Sequence, residues 1–199
     1  MTAAPVYIVS GARTAIGDFG GSLKDVPVTT LGTTVIAEAI NRAGITPDKV
    51  QHVVMGNVIP NEPKDAYLAR VCAVQAGVPV EAAAMTLNRL CGSGAQAIVS
   101  AAQMIALGEC DVAVGAGAES MSRAPYWMTG ARWGTKMGDT QMIDAMLTAL
   151  HDPFENIHMG ITAENVAKRY QITRQTQDEL AVTSDRRAAT AIAEGRFKE

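Results

Sequence analysis

Seventeen consecutive residues, Gly92 to Gly108, carry no charge. Over Ser93–Leu107 they read as a helix whose every face is small or apolar, and such a helix is buried on every face. The wider stretch Leu90–Gly108 holds Ser93, Gln96, Ser100, Gln103 and three glycines. That makes it a poor membrane span and a good interior helix of a globular protein. A single sheet with helices outside it would leave one side of this helix in water. The sequence therefore calls for a further layer, supplied by a partner chain or by residues beyond these 199.

The rest of the chain has the means to build that interior. Hydrophobic residues make up 48% and charged residues 19%, which excludes a wholly disordered chain. A length of 199 residues allows one domain, or one and a part. The net charge of −3 offers no electrostatic footprint for nucleic acid or an anionic membrane, so neither is expected as a partner. Three Cys are too few, and odd in number, for a disulfide scaffold. They fit a reducing compartment. The start, Met1 to Val9, has neither a basic region nor a long apolar core and does not read as a secretory or transit signal. The expected location is the cytoplasm.

Strand and helix patterns alternate up to about residue 120. Val6–Ser10, Val50–Val58, Ala83–Leu87 and Asp111–Ala116 read as strands. Leu31–Ala43, Ala66–Ala76 and Ser93–Leu107 read as helices, the first closed by Gly44 and the second by Gly77. This alternation predicts an α/β fold around a mostly parallel sheet with right-handed crossovers. Residues 121–160 differ, holding six of the ten Met and both Trp among many Gly and Pro, and read as an excursion from the core. Two helices are expected after it. Thr162 would cap Thr162–Tyr170, and Thr173 would cap a longer, solvated helix running to Glu194. The expected division is 1–120 and 121–199.

Chemistry concentrates where the third helix begins. In Thr86-Leu87-Asn88-Arg89-Leu90-Cys91-Gly92-Ser93-Gly94 a strand ends, the chain turns and a helix starts. Gly92 and Gly94 permit a sharp turn and close approach of another group. The first helical N–H groups are unpaired and sit at the positive end of the helix dipole. Cys91 is thereby placed as a nucleophile, and the same N–H groups suit an oxyanion. The alternative for any cysteine is plain packing. Cys72, at an apolar position within a helix, and Cys110, just before a strand, fit that role. A nucleotide site is not indicated, since no phosphate-binding glycine loop ending in Gly-Lys-Ser/Thr is present. The spacing of His52, His151 and His158 does not suggest a metal site.

Asn88-Arg89-Leu90-Cys91-Gly92-Ser93-Gly94 resembles the acyl-enzyme signature of thiolases, the acetyl-CoA acetyltransferases and 3-ketoacyl-CoA thiolases. The resemblance extends through Ser10–Gly17, Gly117–Ser122, His158–Asn165 and Gln177-Asp178. It implies a thiolase-like layered fold with a buried central helix. It implies that Cys91 accepts an acyl group from acyl-CoA as a thioester, and that the acetyl-CoA carbanion then condenses with it to give a 3-ketoacyl-CoA. Thiolysis is the reverse. Residues 121–199 would begin the family's loop domain, with Leu150, His158 and Met159 lining the pantetheine of CoA. Residues 123–147 would match the loop through which bacterial relatives form tetramers. Coenzyme A is then substrate and product, with no other cofactor and no metal.

The family pattern stops halfway. Its second half carries a Gly-His-Pro histidine, a Cys-x-Gly-Gly-Gly cysteine and a water-positioning Asn, and none of these motifs occurs here. The expectation is an N-terminal thiolase half, inactive alone and completed by further residues or by another chain. The alternatives are a non-catalytic CoA- or lipid-binding half and a ketoacyl synthase on the same fold. The glycine-rich surroundings of Cys91 and the His158-Met159-Gly160 motif favour thiolase over synthase.

Overall fold

The computed structural model describes residues 5–197. Three short apolar runs make its sheet. β1 (His52–Gly56), β2 (Ala83–Leu87) and β3 (Ala113–Gly117) pair in parallel in the order β2-β1-β3. The register is flush. His52 stands opposite both Ala83 and Ala113, and Gly56 opposite both Leu87 and Gly117. β1 is central, which is why Val53, Val54 and Met55 form an unbroken apolar run with no exposure at all.

α1 (Val28–Arg42) and α2 (Leu68–Gln75) cover one face, where Ile36, Ile40, Leu68 and Cys72 pack with Val53 and Met55. α3 (Ser93–Ala106) covers the other, where Ala97 and Ala101 pack with Val54. The change of face follows from handedness. The crossover from β1 to β2 carries α2, the crossover from β2 to β3 carries α3, and the two run in opposite directions along the sheet. Crossovers of one hand must then lie on opposite faces.

α3 lies very close to the strands. A Cβ on Gly115 would stand 2.7 Å from the Ile98 Cα, and one on Gly56 would stand 2.7 Å from Ser93 backbone carbon. The sheet buries Ser93, Ala97, Ser100 and Ala101 of this helix, while Ile98, Val99 and Leu107 remain exposed. One face is thus covered, and the further layer that the charge-free sequence calls for is not among the described residues.

Val6–Ser10, expected as a strand, is not one. It makes no ladder bonds, and Tyr7, Ile8 and Val9 are each more than 70% exposed. A strand exists only beside an edge that accepts it. Here the segment is tied instead to the last turns of α1, through Ser10 Oγ donating to the Ala39 carbonyl at 2.7 Å and an Arg42 N–H donating to the Gly11 carbonyl at 3.2 Å.

After β3 the chain leaves the sheet. β4 (Tyr126–Trp127) and β5 (Ile143–Asp144) form a short antiparallel ladder, followed by α4 (Ala145–Ala149). Between the two strands every residue from 128 to 142 is exposed.

The chain divides into compact units 1–149 and 150–199. The second contains α5 (Met159–Arg169) and α6 (Arg174–Ala193). Thr173 caps α6 as expected, its side chain accepting from the Thr176 N–H, and no residue of α6 is buried. α5 begins three residues before the expected Thr162, because His158 caps it instead. Among the described residues no helix is long and apolar enough to cross a membrane.

Candidate active site

The flush register brings the carboxyl ends of three strands to one edge, the place where open α/β sheets hold their ligands. Backbone bonds join these ends. The Asn57 N–H donates to the Leu87 carbonyl at 3.0 Å, and the Ala118 N–H to the Gly56 carbonyl at 3.1 Å. Cys91 lies on this edge, in the turn between β2 and α3, with its thiol free and exposed.

The turn is held at both ends by side chains. Leu90 has φ +48°, a left-handed conformation that costs a non-glycine residue about 1–2 kcal/mol. The Asn88 Oδ1 accepts from the Leu90 N–H at 2.8 Å. The Ser93 Oγ accepts from the Arg89 N–H at 2.8 Å and donates to the Leu90 carbonyl at 2.7 Å. Ser93 is buried. The N–H groups of Gly92 and Ser93 close the turn on the carbonyls of Arg89 and Leu90, and that of Gln96 donates to Gly92. The N–H groups of Gly94 and Ala95 find no acceptor among the described residues. They point along the start of α3, whose dipole adds partial positive charge beside Cys91.

The other two thiols differ in kind. Cys72 is fully buried, its Sγ 3.4 Å from the Thr29 carbonyl, and burial pushes its thiol up to about 11. Cys110 is buried too, which raises its pKa. Neither is an accessible nucleophile.

Glu119 was not singled out from the sequence as a functional position, yet it organises this edge. Its carboxylate accepts from the Val58 N–H at 2.7 Å, the Ile59 N–H at 3.2 Å and the Asn57 Nδ2 at 3.1 Å. The Val58 carbonyl in turn accepts from Asn88 Nδ2 at 3.2 Å. A continuous path therefore runs from Glu119 through Val58 and Asn88 to the Leu90 N–H. Although the residue as a whole is exposed, its carboxylate head turns in against residues 57–59. Desolvation there raises its pKa despite the three donors.

Leu150, His158 and Met159 lie in the second unit, and the structure brings them together. The Met159 N–H donates to the Leu150 carbonyl at 3.0 Å, and His151 and His158 form an antiparallel bridge. Their rings meet edge to face, 5.4 Å between centroids. The intervening loop is closed by the Asp152 N–H donating to the Ile157 carbonyl at 2.8 Å and by Asp152 Oδ2 accepting from the N–H groups of Phe154 and Glu155. His158 Nδ1 accepts from the Gly160 N–H at 3.0 Å. Its Nε2 thus carries the proton of the neutral ring. Sequence reasoning missed the pairing of His151 with His158, because a contact across a six-residue loop has no periodic signal. Among the described residues no three His, Cys, Asp or Glu side chains gather as a metal site would require.

Comparison with known proteins shows the family to which the chain is similar. The family model described as thiolase, N-terminal domain, matches residues 6–199. The chain is 63% identical over 194 residues to beta-ketothiolase BktB of Cupriavidus necator, covering 98% of this chain and 49% of that protein. It is 45% identical to the cytosolic acetyl-CoA acetyltransferase of Rattus norvegicus, covering 97% of this chain and 48% of that protein. Human mitochondrial 3-ketoacyl-CoA thiolase, solved in complex with CoA, superimposes with a TM-score of 0.90 at 38% identity, over 96% of this chain and 49% of that one. The chain spans about half the length of the curated relatives it matches. The strand–turn–helix that presents Cys91 therefore belongs to a recognised lineage: this chain is a member of the thiolase family and matches its N-terminal domain.

Proposed function

We propose that Cys91 is the nucleophile of a thiolase-type acyltransferase acting on acetyl-CoA and 3-ketoacyl-CoA. One observation carries this reading. The chain's one exposed thiol among its described cysteines sits on a side-chain-clamped turn, at the carboxyl edge of the sheet, beside unpaired N–H groups of a helix start. The Cys91 thiolate attacks the thioester carbonyl of an acyl-CoA. The carbonyl oxygen takes up negative charge beside backbone N–H donors, and the CoA thiolate leaves. A base then removes a proton from the α-carbon of acetyl-CoA. The resulting carbanion attacks the acyl-enzyme carbonyl, a carbon–carbon bond forms, and Cys91 is released as thiolate. The reverse sequence is thiolysis.

Leu150, His158 and Met159 are proposed to line the CoA pantetheine, with residues 121–199 as the CoA-binding loop region and residues 123–147 as the contact that builds a homotetramer. Coenzyme A serves as substrate and product, with no further cofactor and no metal. A cytoplasmic location is proposed with it. The acid and base groups are assigned to the part of the family pattern that this chain does not span. Each such positioned group contributes about 10²–10⁴-fold, so residues 1–199 alone are expected to be inactive.

The test is acyl transfer to the intact protein. Incubation with radiolabelled acetyl-CoA followed by digestion should place label on the Cys91 peptide, and Cys91→Ala should abolish it. Label on Cys72 or Cys110, or acylation surviving Cys91→Ala, overturns the reading.

A further inference from the structure

We propose that Asn88 and Ser93 are positioning residues for Cys91, acting through the left-handed backbone of Leu90; the inference rests on the reading of Cys91 as nucleophile. Neither side chain needs to touch substrate. Each holds one end of the same strained peptide. Asn88 Oδ1 takes the Leu90 N–H at 2.8 Å, and Ser93 Oγ takes the Arg89 N–H at 2.8 Å while donating to the Leu90 carbonyl at 2.7 Å.

The geometry explains why two clamps are needed. Leu90 stands at φ +48°, which a leucine leaves readily once nothing restrains it. Cys91 is the next residue, so any rotation of the Leu90 peptide swings the Sγ directly. The clamps themselves are fixed from outside the turn. Ser93 is 5% exposed and is pressed against the end of β1, where a Cβ on Gly56 would stand 2.7 Å from the Ser93 Cβ. Asn88 is held by its Nδ2 donating to the Val58 carbonyl at 3.2 Å, and Val58 is held by Glu119. The Sγ direction is thus referred to β1 on one side and to the 57–59 loop on the other.

Acyl transfer is sensitive to this. A displacement of the attacking atom by about 1 Å can cost on the order of 100-fold in rate. Glycine at position 90 adopts φ +48° without steric cost, so it lowers the need for the clamps. Suppression by Leu90→Gly is therefore the signature of positioning, and a general loss of packing would not respond to it.

The experiment uses the intact protein and single-turnover acetylation by acetyl-CoA, followed as CoA release. Asn88→Ala and Ser93→Ala should each slow acetylation by roughly 10- to 100-fold with KM for acetyl-CoA little changed. Leu90→Gly alone sets the reference rate for the double variants. Combined with either clamp variant, it should recover most of the lost rate. Near-ultraviolet circular dichroism and thermal melts accompany each variant. Should Ser93→Ala fail to fold, the Asn88→Ala and Asn88→Ala/Leu90→Gly pair carries the test alone. Acetylation within twofold of wild type in the single variants, or a loss that Leu90→Gly leaves untouched, overturns the inference. Cys91→Ala is measured in parallel. Single-turnover CoA release surviving that change sinks the nucleophile reading instead, so the two failures are distinguishable.

Discussion

Gly56 and Ser93 meet so closely that a Cβ on Gly56 would stand 2.7 Å from both the Ser93 carbonyl carbon and its Cβ. The end of the central strand therefore sets the height at which α3 begins. Gly56→Ala must push the helix start away from the sheet. Overpacking of this kind costs about 1–3 kcal/mol. The expected result is a lower urea midpoint together with slower acetylation of Cys91. An alanine variant with wild-type stability and rate would show that α3 can shift without consequence.

The three thiols should separate cleanly by reactivity. Native protein treated with limiting iodoacetamide at neutral pH should be alkylated at Cys91 first. Cys72, fully buried and with its thiol at about 11, and buried Cys110 should react only after unfolding. Peptide mapping by mass spectrometry reads the order. Alkylation of Cys72 at the rate of Cys91 contradicts the burial described above.

Glu119→Ala leaves the Val58 and Ile59 N–H groups without their acceptor; Ile59 is buried, and a lost partner of a buried donor costs about 1–3 kcal/mol. The pH dependence has a definite sign. The folded carboxyl has a pKa raised above its usual 4.5, so the folded state binds this proton more tightly than the unfolded state. The stability tied to that proton is present in acid and is lost as pH rises from 4.5 toward the raised folded value. Wild type's advantage over Glu119→Ala, measured by denaturant melts, should shrink across that window. An advantage that grows with pH would reverse the assignment.

His158 has two separable jobs. Its Nδ1 caps α5, and its ring is the proposed wall of the pantetheine site. Asn is also a good cap, whereas loss of a capping side chain costs about 1 kcal/mol. His158→Asn should keep hydrogen-exchange protection in the first turn of α5 and raise KM for acetyl-CoA. His158→Ala should lose both. Equal KM values for wild type and His158→Asn would remove His158 from the binding site.

Deleting residues 128–142, exposed throughout between β4 and β5, should convert the proposed tetramer of the intact protein to smaller species. Light scattering gives the mass directly, and an unchanged mass assigns assembly to another surface.

What could be read from residues alone depended on where the signal was written. β2 and the helices α1, α2 and α3 announce themselves through apolar periodicity and stop residues. Cys91 stands out because glycines and a charge-free helix follow it directly. Val6–Ser10 shows the other side: its apolar run is strand-like, but strand formation needs a partner edge, and no pattern within five residues names one. Glu119 escaped for a related reason. Its partners at Val58 and Ile59 are backbone N–H groups, which every residue but proline possesses. The start of α5 was misplaced because Thr162 is the conventional capping type, while the actual cap, His158, owes its position to the loop that His151 closes.

The flush register of β1, β2 and β3 also bears on how the protein comes into being. β1 and β3 are separated by more than fifty residues, and closing that span carries a loop-closure cost in entropy. Until it happens, Glu119 has no loop to hold, and until β1 docks beneath α3 Ser93 has only its bonds within the turn. The turn that carries Cys91 therefore takes its outside references from β1 and the 57–59 loop, which only the assembled sheet brings to it.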